Sequence, residues 1–259
     1  MNTLMNTATV KGISLYPIKS LDPVDVESAP VLPSGALAHD REFALFDEQG
    51  NVINGKREAK LHQIRARYDL EAFVVTLNDS SRFNLTHECS KIEDWIGNFL
   101  ERRVSMRRNV QTGFPDDLDS PGPTIVGWET LREVGSWFGI DDPGEAGRRF
   151  RSNIVLATQT PFWEDRLFGE PDEIVGFRIG SVTTHGVNPC QRCVVPSREP
   201  STGLVTPDFQ RKFAGKRAES LPSWAAMARF NHYYRLAVNT RIPASEAGKV
   251  IRTGDEVRI

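Results

Sequence analysis

Pro17, Pro23, Pro30 and Pro33 interrupt the first forty residues so closely that no helix fits between them, and this punctuation limits the fold more than any other feature. Proline lacks the amide hydrogen that a helix interior or a central strand needs, which leaves short strands and loops. Residues 10–16, with Val10, Ile13 and Leu15, read as one such strand. Residues 42–46 and 51–53 flank Asp47-Glu48-Gln49-Gly50, a hairpin turn in which Gly50 supplies the positive φ. Two more short strands, residues 61–68 and 73–77, end at the turn-forming Asn78, Asp79 and Ser80.

After Ser90 the hydrophobic period changes. Ile92, Trp95, Ile96, Phe99 and Leu100 recur at helical spacing, and Ser90 with Glu93 has the form of a capping box. Residues 111–123, with Pro115, Pro121, Gly122 and Pro123, read as a domain boundary or crossover. A second amphipathic helix is expected over 130–138, with Leu131, Val134, Trp137 and Phe138 inward and Gly139 as its stop. Strands are expected at 154–156, 177–179, 182–184 and 194–195, and a helix near 223–229. Residues 248–259 read as strand, Thr253-Gly254-Asp255 turn, strand. The sum is an α+β protein, mainly β, built of barrel-like units with a few packing helices.

Thirty-two Lys and Arg against thirty-four Asp and Glu leave a net charge of −2, so no global field draws the chain to nucleic acid or a membrane surface. Any anion site must be local. Arg102, Arg103, Arg107 and Arg108, around Val104 and Met106, are one local run; a solvated strand face balanced by Glu101, Asp116 and Asp117 explains it more simply. Apolar runs such as 153–157 fall short of the ~20 residues of a spanning helix. Residues 1–7 lack the basic-then-apolar design of a signal peptide. Three cysteines cannot staple a disulfide scaffold and leave at least one thiol free, which fits a reducing compartment. The expectation is a cytoplasmic protein.

Asn188-Pro189-Cys190-Gln191-Arg192-Cys193 is the sharpest chemical feature. A zinc site needs a second pair, and only Cys89 and five histidines remain, with His185 alone nearby. A thioredoxin-like pair opens a helix, whereas Val194, Val195 and Pro196 favour a strand. Two small buried hydrophobes are the plain structural reading. The remaining reading is a single thiolate ligand for a soft metal, with Arg192 as the neighbouring positive charge if the chain bends there.

Three other constellations offer donors to an anion. Lys19-Ser20 in a proline-bounded loop, with Asp40-Arg41 ahead of the next strand, presents an ammonium and a hydroxyl to phosphate oxygens; a solvated lysine is the plain alternative. In Arg148-Arg149-Phe150-Arg151-Ser152-Asn153 the first two arginines read as a salt-bridged helix end, while Arg151 and Asn153 share a strand face by the period of two. The helix start at Thr130 offers backbone amides to an anion, or is simply capped by the threonine.

Several pieces then stand in a fixed order: Tyr16-Pro17-Ile18-Lys19-Ser20, Asp40-Arg41, Arg149-Phe150-Arg151-Ser152-Asn153, Pro189-Cys190-Gln191-Arg192-Cys193 with Ser201-Thr202-Gly203, and Gly254-Asp255-Glu256-Val257. The ordered set resembles the MOSC family, the molybdenum-cofactor domain named from the C-terminal part of molybdenum cofactor sulfurase. The N-terminal half is similar to the β-barrel domain that precedes MOSC in the mitochondrial amidoxime-reducing component and its bacterial relatives. The resemblance implies an N-terminal β-barrel domain over residues 8–115 and a MOSC domain over 116–259, with N-terminal strands completing the core of the second.

By position, the resemblance makes Cys193 the catalytic cysteine that ligates molybdenum. Lys19, Ser20 and Arg41 would hold the cofactor's phosphate and pterin from the first domain, and Arg151 and Asn153 from the second, with Arg192 and Tyr233 in support. The chain departs from the pattern at Gly127-Trp128-Glu129-Thr130-Leu131, where relatives often have Ser-x-x-Ser-Leu, so Thr130 alone can replace a hydroxyl contact. It departs again at Ser152, where relatives often have proline.

The implied function is a molybdenum-cofactor (Mo-molybdopterin) oxidoreductase that reduces small N-oxygenated molecules such as amidoximes or N-hydroxylated bases. The sequence ends at Ile259 without the ferredoxin-like extension of some bacterial relatives. An external ferredoxin-, flavodoxin- or cytochrome-type electron donor is therefore expected. A cofactor carrier or sulfur-transfer protein acting through Cys193 stays open as the alternative, as does a metal-free interaction module with Cys190 and Cys193 in its core. Pyridoxal phosphate binding is also left open.

Overall fold

The computed structural model describes residues 7–259, beginning with β1 (Thr7–Leu15), β2 (Val24–Val26) and β3 (Ser28–Pro30). The hairpin of β4 (Phe43–Phe46) and β5 (Val52–Ile53) follows, then β6 (Ala66–Asp69), β7 (Val74–Leu77) and β8 (Ser81–Asn84). Helix α1 (Cys89–Leu100) leads to β9 (Ser105–Arg108). After a long loop come β10 (Ile125–Gly127), α2 (Trp128–Ser136), α3 (Pro143–Phe150) and β11 (Ile154–Ala157). The chain continues with β12 (Val175–Ile179), β13 (Val182–Gln191) and α4 (Phe209–Glu219), and ends with β14 (Arg235–Arg241), β15 (Val250–Arg252) and β16 (Glu256–Arg258).

Seven strands close into a barrel in the order β11-β10-β14-β13-β12-β16-β1, with β1 pairing back onto β11. Closure removes the open sheet edge. Every pair in the ring is antiparallel except β10 and β11, and a parallel pair needs a crossover, which α2 and α3 provide. Strand β1 keeps apolar residues inward through a register shift between Val10 and Gly12. Ala8 and Val10 are buried before it, and Ile13 and Leu15 after it, one step out of phase. That bulge is why Val10, Ile13 and Leu15 do not alternate strictly. Their barrel core also holds Ile154, Leu156, Phe177, Ile179, Val238 and Val257.

A second apolar cluster lies in the N-terminal part. The β5-β4-β9 sheet, the β6-β7-β8 meander and α1 bury Phe43, Leu45, Val75, Leu77, Ile92, Ile96 and Leu100 together. A third gathers Leu131, Val134, Phe150, Phe209 and Phe213 from α2, α3 and α4 with Tyr234, the residue before β14. Fully burying a side chain such as Phe213 contributes about 1.5–3 kcal/mol.

The mainly-β architecture, with four α-helices among the described residues, agrees with expectation, and several elements differ from it. Residues 59–63 form a 3-10 turn where a strand was expected. Helix α1 begins at Cys89, so Ser90 lies inside it and the expected capping box does not form; Glu93 instead accepts from the Met106 amide at 2.7 Å. Helix α2 starts at Trp128, two residues before Thr130, and ends at Ser136. Residues 195–197 are a 3-10 turn, while β13 extends through Gln191. The expected helix near 223–229 reduces to a 3-10 turn at 227–229. Strands β15 and β16 do not pair with each other: β15 pairs with β3, and β16 with β1 and β12.

The arginines near β9 are held by Glu42, Asp47 and Glu48 instead of Glu101, Asp116 and Asp117; Arg108 Nε, for example, lies 2.6 Å from Glu42. No helix among the described residues is long and apolar enough to cross a membrane.

Candidate functional site

A cleft of about 820 Å³ opens between the N-terminal part and the barrel, and it draws together seven residues singled out by sequence: Lys19, Ser20, Arg41, Arg151, Asn153, Arg192 and Cys193. Ile18 forms a parallel bridge with Phe43, and the Lys19 amide donates to the Phe43 carbonyl at 2.8 Å, so the β4 edge sets the position of the loop. The Lys19 side chain is buried, not solvated; its Nζ donates to the Phe114 carbonyl at 2.7 Å and pairs with Asp116 at 2.9 Å. Burial pulls the Lys19 ammonium below its usual pKa, and Asp116 opposes that pull. The Ser20 hydroxyl accepts from the Gly55 amide at 3.2 Å, keeping its own proton available to a ligand.

Arg41 and Arg151 reach the cleft from opposite halves of the chain. Arg41 ion-pairs with Asp40, and its amide donates to the Tyr16 carbonyl at 2.9 Å. Arg151 is the left-handed C-cap of α3, with its amide donating to Gly147; its Nη2 donates across to the Leu21 carbonyl at 2.7 Å. The expected shared strand face of Arg151 and Asn153 therefore does not exist, since β11 begins only at Ile154. Burial lowers the pKa of Arg151, assisted by the charge of Arg41; burial acts the same way on Arg41 but the carboxylate of Asp40 outweighs it. Both stay cationic, because guanidinium is not deprotonated in proteins.

Ser20, Arg41 and Arg151 share a further property: each has positive φ, at 73°, 50° and 53°. A left-handed backbone costs a residue with a side chain about 1–2 kcal/mol, and such strain persists where the surroundings over-determine it, typically at binding sites. Asn153 acts as the strut between the halves. Its Nδ2 donates to the Ser14 carbonyl at 3.2 Å, and its Oδ1 accepts from Thr124 at 3.2 Å and from Arg41 at 3.5 Å.

Cys193 is a half-buried free thiol just past the end of β13. A register shift between Pro189 and Gln191 releases the chain from the ladder, the kind of bend that would let Arg192 sit beside Cys193. The Arg192 guanidinium nevertheless turns to Cys190, whose Sγ lies 3.0 Å from Nη1, and to the Phe150 carbonyl; its Nε is buried without a partner. Cys190 lines the same cleft. Among the described residues, no three His, Cys, Asp or Glu side chains converge as a metal cage.

Two expected residues lie outside the cleft. Thr130 is fully buried because α2 starts before it, and its hydroxyl is committed, donating to Glu164 at 2.8 Å and accepting from the Phe162 amide at 2.6 Å. Tyr233 stacks on Phe230, with ring centroids 6.1 Å apart, against the barrel core. Conversely, the cleft includes Lys56, Asp116 and Arg235, which the sequence did not single out. Lys56 and Asp116 meet across 60 residues of chain, so no local spacing marks that pair.

The donor set suits a phosphate-bearing ligand with a soft metal: cations, a hydroxyl and a thiol line one cleft, with Arg192, whose buried Nε has no partner, among them.

Comparison with known proteins shows the family. Residues 7–117 match the MOSC N-terminal beta barrel domain, and residues 130–258 match the MOSC domain. The chain is 25% identical over 232 residues to molybdenum cofactor sulfurase of Drosophila grimshawi, covering 76% of this chain but 29% of that protein. It is 23% identical over 251 residues to mitochondrial amidoxime reducing component 2 of Macaca fascicularis, covering 78% and 70% of the two chains. It is 25% identical over 250 residues to mitochondrial amidoxime-reducing component 1 of Danio rerio, covering 81% and 73%. With both domain matches in sequence, and with the cleft between their residues, the chain belongs to the MOSC family.

Proposed function

We propose that the chain binds the molybdenum cofactor in this cleft and works as an oxidoreductase that reduces N-oxygenated, N-hydroxylated small molecules with electrons from a separate protein. The observation that carries the reading is the convergence of Lys19, Ser20, Arg41 and Arg151 on the cleft that contains the half-buried thiol of Cys193. The names of the amidoxime-reducing relatives support the reaction class. We also propose the division into residues 8–115 and 116–259, with the site at their seam.

In this reading Cys193 Sγ is the protein ligand of the metal, and the remaining ligands arrive with the cofactor. When bound, the molybdenum and pterin supply the two-electron oxygen-transfer chemistry. Lys19 Nζ and the Ser20 hydroxyl hold phosphate oxygens; Arg41 and Arg151 neutralise the remaining negative charge, each charged hydrogen bond contributing about 1.5–3 kcal/mol. Asn153 ties Arg41 to β1, accepting from the guanidinium and donating to the Ser14 carbonyl. Arg192, anchored on the Phe150 carbonyl and Cys190, stiffens the bend that presents Cys193.

The test is metal and pterin analysis of the full chain purified from a cofactor-competent host, followed by N-hydroxy reduction with a reducing partner. Absence of both molybdenum and pterin overturns the reading. A second reading, a cofactor or sulfur carrier, is favoured by the sulfurase relative and by the second thiol, Cys190, in the cleft. Stoichiometric transfer of cofactor or sulfur without reduction selects it.

A further inference from the structure

Tyr16 is almost fully buried, yet it belongs to none of the three apolar clusters that make up the cores of the protein. Its ring instead meets two cations. The guanidinium carbon of Arg151 lies 4.2 Å from the ring centroid and that of Arg41 lies 5.3 Å from it, both over the ring. The backbone of Tyr16 serves the same pair: its carbonyl accepts from the Arg41 amide at 2.9 Å, and its amide donates to Asp40 at 3.0 Å. The phenol contributes little, reaching only the Ser152 carbonyl at 3.4 Å.

Arg151 needs such support. Among the described residues no carboxylate stands within ion-pair distance of it, and its one hydrogen bond from the guanidinium is to the Leu21 carbonyl. Two half-buried cations facing one cleft repel each other; Asp40 pairs with Arg41 alone, and the ring attracts both without neutralising Arg151. A carboxylate in that place would cancel the charge that an anion is to meet; the tyrosine ring does not.

We propose that Tyr16 is a positioning residue: one aromatic ring that holds Arg41 and Arg151, drawn from the two halves of the chain, aimed at the cleft before an anionic ligand arrives. This rests on the reading of the cleft as a site for a phosphate-bearing cofactor. The gain is preorganisation, since neither long side chain must be ordered at the moment of binding.

The experiment replaces Tyr16 with phenylalanine and then with phenylalanines carrying one, two and three ring fluorines, which weaken the attraction of the ring for cations while nearly preserving shape. Inorganic phosphate binding to the cofactor-free protein is measured by calorimetry. Tyr16→Phe is expected to keep the affinity within about twofold, and the fluorinated series to lower it stepwise by about tenfold overall. In parallel, nitrogen-15 NMR follows hydrogen exchange at the Nε of Arg41 and Arg151, which is expected to accelerate in step with fluorination.

A series flat in both readouts overturns the assignment of Tyr16. Wild-type protein that binds no phosphate, with Lys19→Ala indistinguishable from it, overturns the cleft reading, while the exchange series still decides the role of the ring. Unchanged melting across the series excludes a folding defect as the cause of any loss.

Discussion

Lys19 Nζ lies 2.9 Å from Asp116 Oδ1, so the buried ammonium at the head of the proposed phosphate site is paired with a half-exposed carboxylate from the loop above it. Burial pushes the Asp116 carboxyl up, but Lys19 and Lys56, the latter 3.5 Å away, outweigh it and hold the group well below the usual carboxylate range. Asp116 therefore stays ionised at neutral pH and competes with any anion for Lys19. Asp116→Asn removes the competitor, and phosphate affinity of the cofactor-free protein at pH 7 is expected to rise about fivefold, the scale of a partly exposed ion pair. Calorimetric titration checks this; equal or weaker binding by the variant would show that the carboxylate supports the site instead of blocking it.

Cys193 packs only partly, so its removal should separate metal binding from folding. Cys193→Ala is expected to lose molybdenum and all N-hydroxy reduction while changing stability by less than about 1 kcal/mol. Elemental analysis alongside a melting curve reads both. Cys190→Ala, which removes the acceptor of Arg192 Nη1, is expected to keep the metal, so the pair of variants assigns the ligand to one thiol.

How far the site was legible in the sequence depended on whether a residue reaches it by local means. Lys19 and Ser20 follow directly from the proline-bounded loop, whereas the bend before Cys193 stayed open in the sequence and comes from the register shift at Pro189, with Arg192 turned to Cys190. Arg151 was recognised as a donor but placed on a strand. The salt-bridged helix end read at Arg148 and Arg149 is there, with Arg148 on Asp142 and Arg149 on Glu145, but the helix runs through Phe150 and Arg151 is its C-cap, so the strand begins later than expected. Helix α4 was missed for a different reason. Its buried row is Phe209, Phe213 and Arg217, and the burial of Arg217 depends on Asp165, a partner from elsewhere in the chain. Thr130 was misplaced because the start of α2 two residues earlier turns it inward.

Glu164 gives the molecule a pH-dependent stability of identifiable origin. It is fully buried beneath the Thr130 hydroxyl, and burial, then the neighbouring Asp165 charge, pushes its carboxyl up to about 7 from 4.5. The folded state thus binds a proton that the unfolded state releases above 4.5, so stability is highest below that pH and falls as pH rises through about 7. Glu164→Gln keeps an acceptor for Thr130 and carries no titratable proton. Its melting temperature is expected to vary less than wild type between pH 5 and 8, on the order of a few degrees. Parallel pH profiles would assign the slope to another group.

The route by which β13 delivers Cys190 and Cys193 to the cleft passes through Gly186, which tolerates no side chain. A Cβ built there falls 1.5 Å from the Leu167 carbonyl oxygen and 2.7 Å from its carbon, backbone atoms that cannot rotate away. Directly after it comes the register shift between Gly186 and Asn188, and Asn188 lines the cleft. Gly12, at the bulge of β1, is the opposite case, with nothing within 4 Å of an added Cβ. Gly186→Ala is therefore expected to destabilise the protein by about 2–4 kcal/mol and to weaken phosphate binding, because the strand must move to admit the methyl group. Gly12→Ala is expected to change stability by less than about 1 kcal/mol and to leave binding intact. Denaturant titration and phosphate calorimetry on the two variants check the contrast, and similar stability losses in both would refute the assigned role of the Leu167 contact.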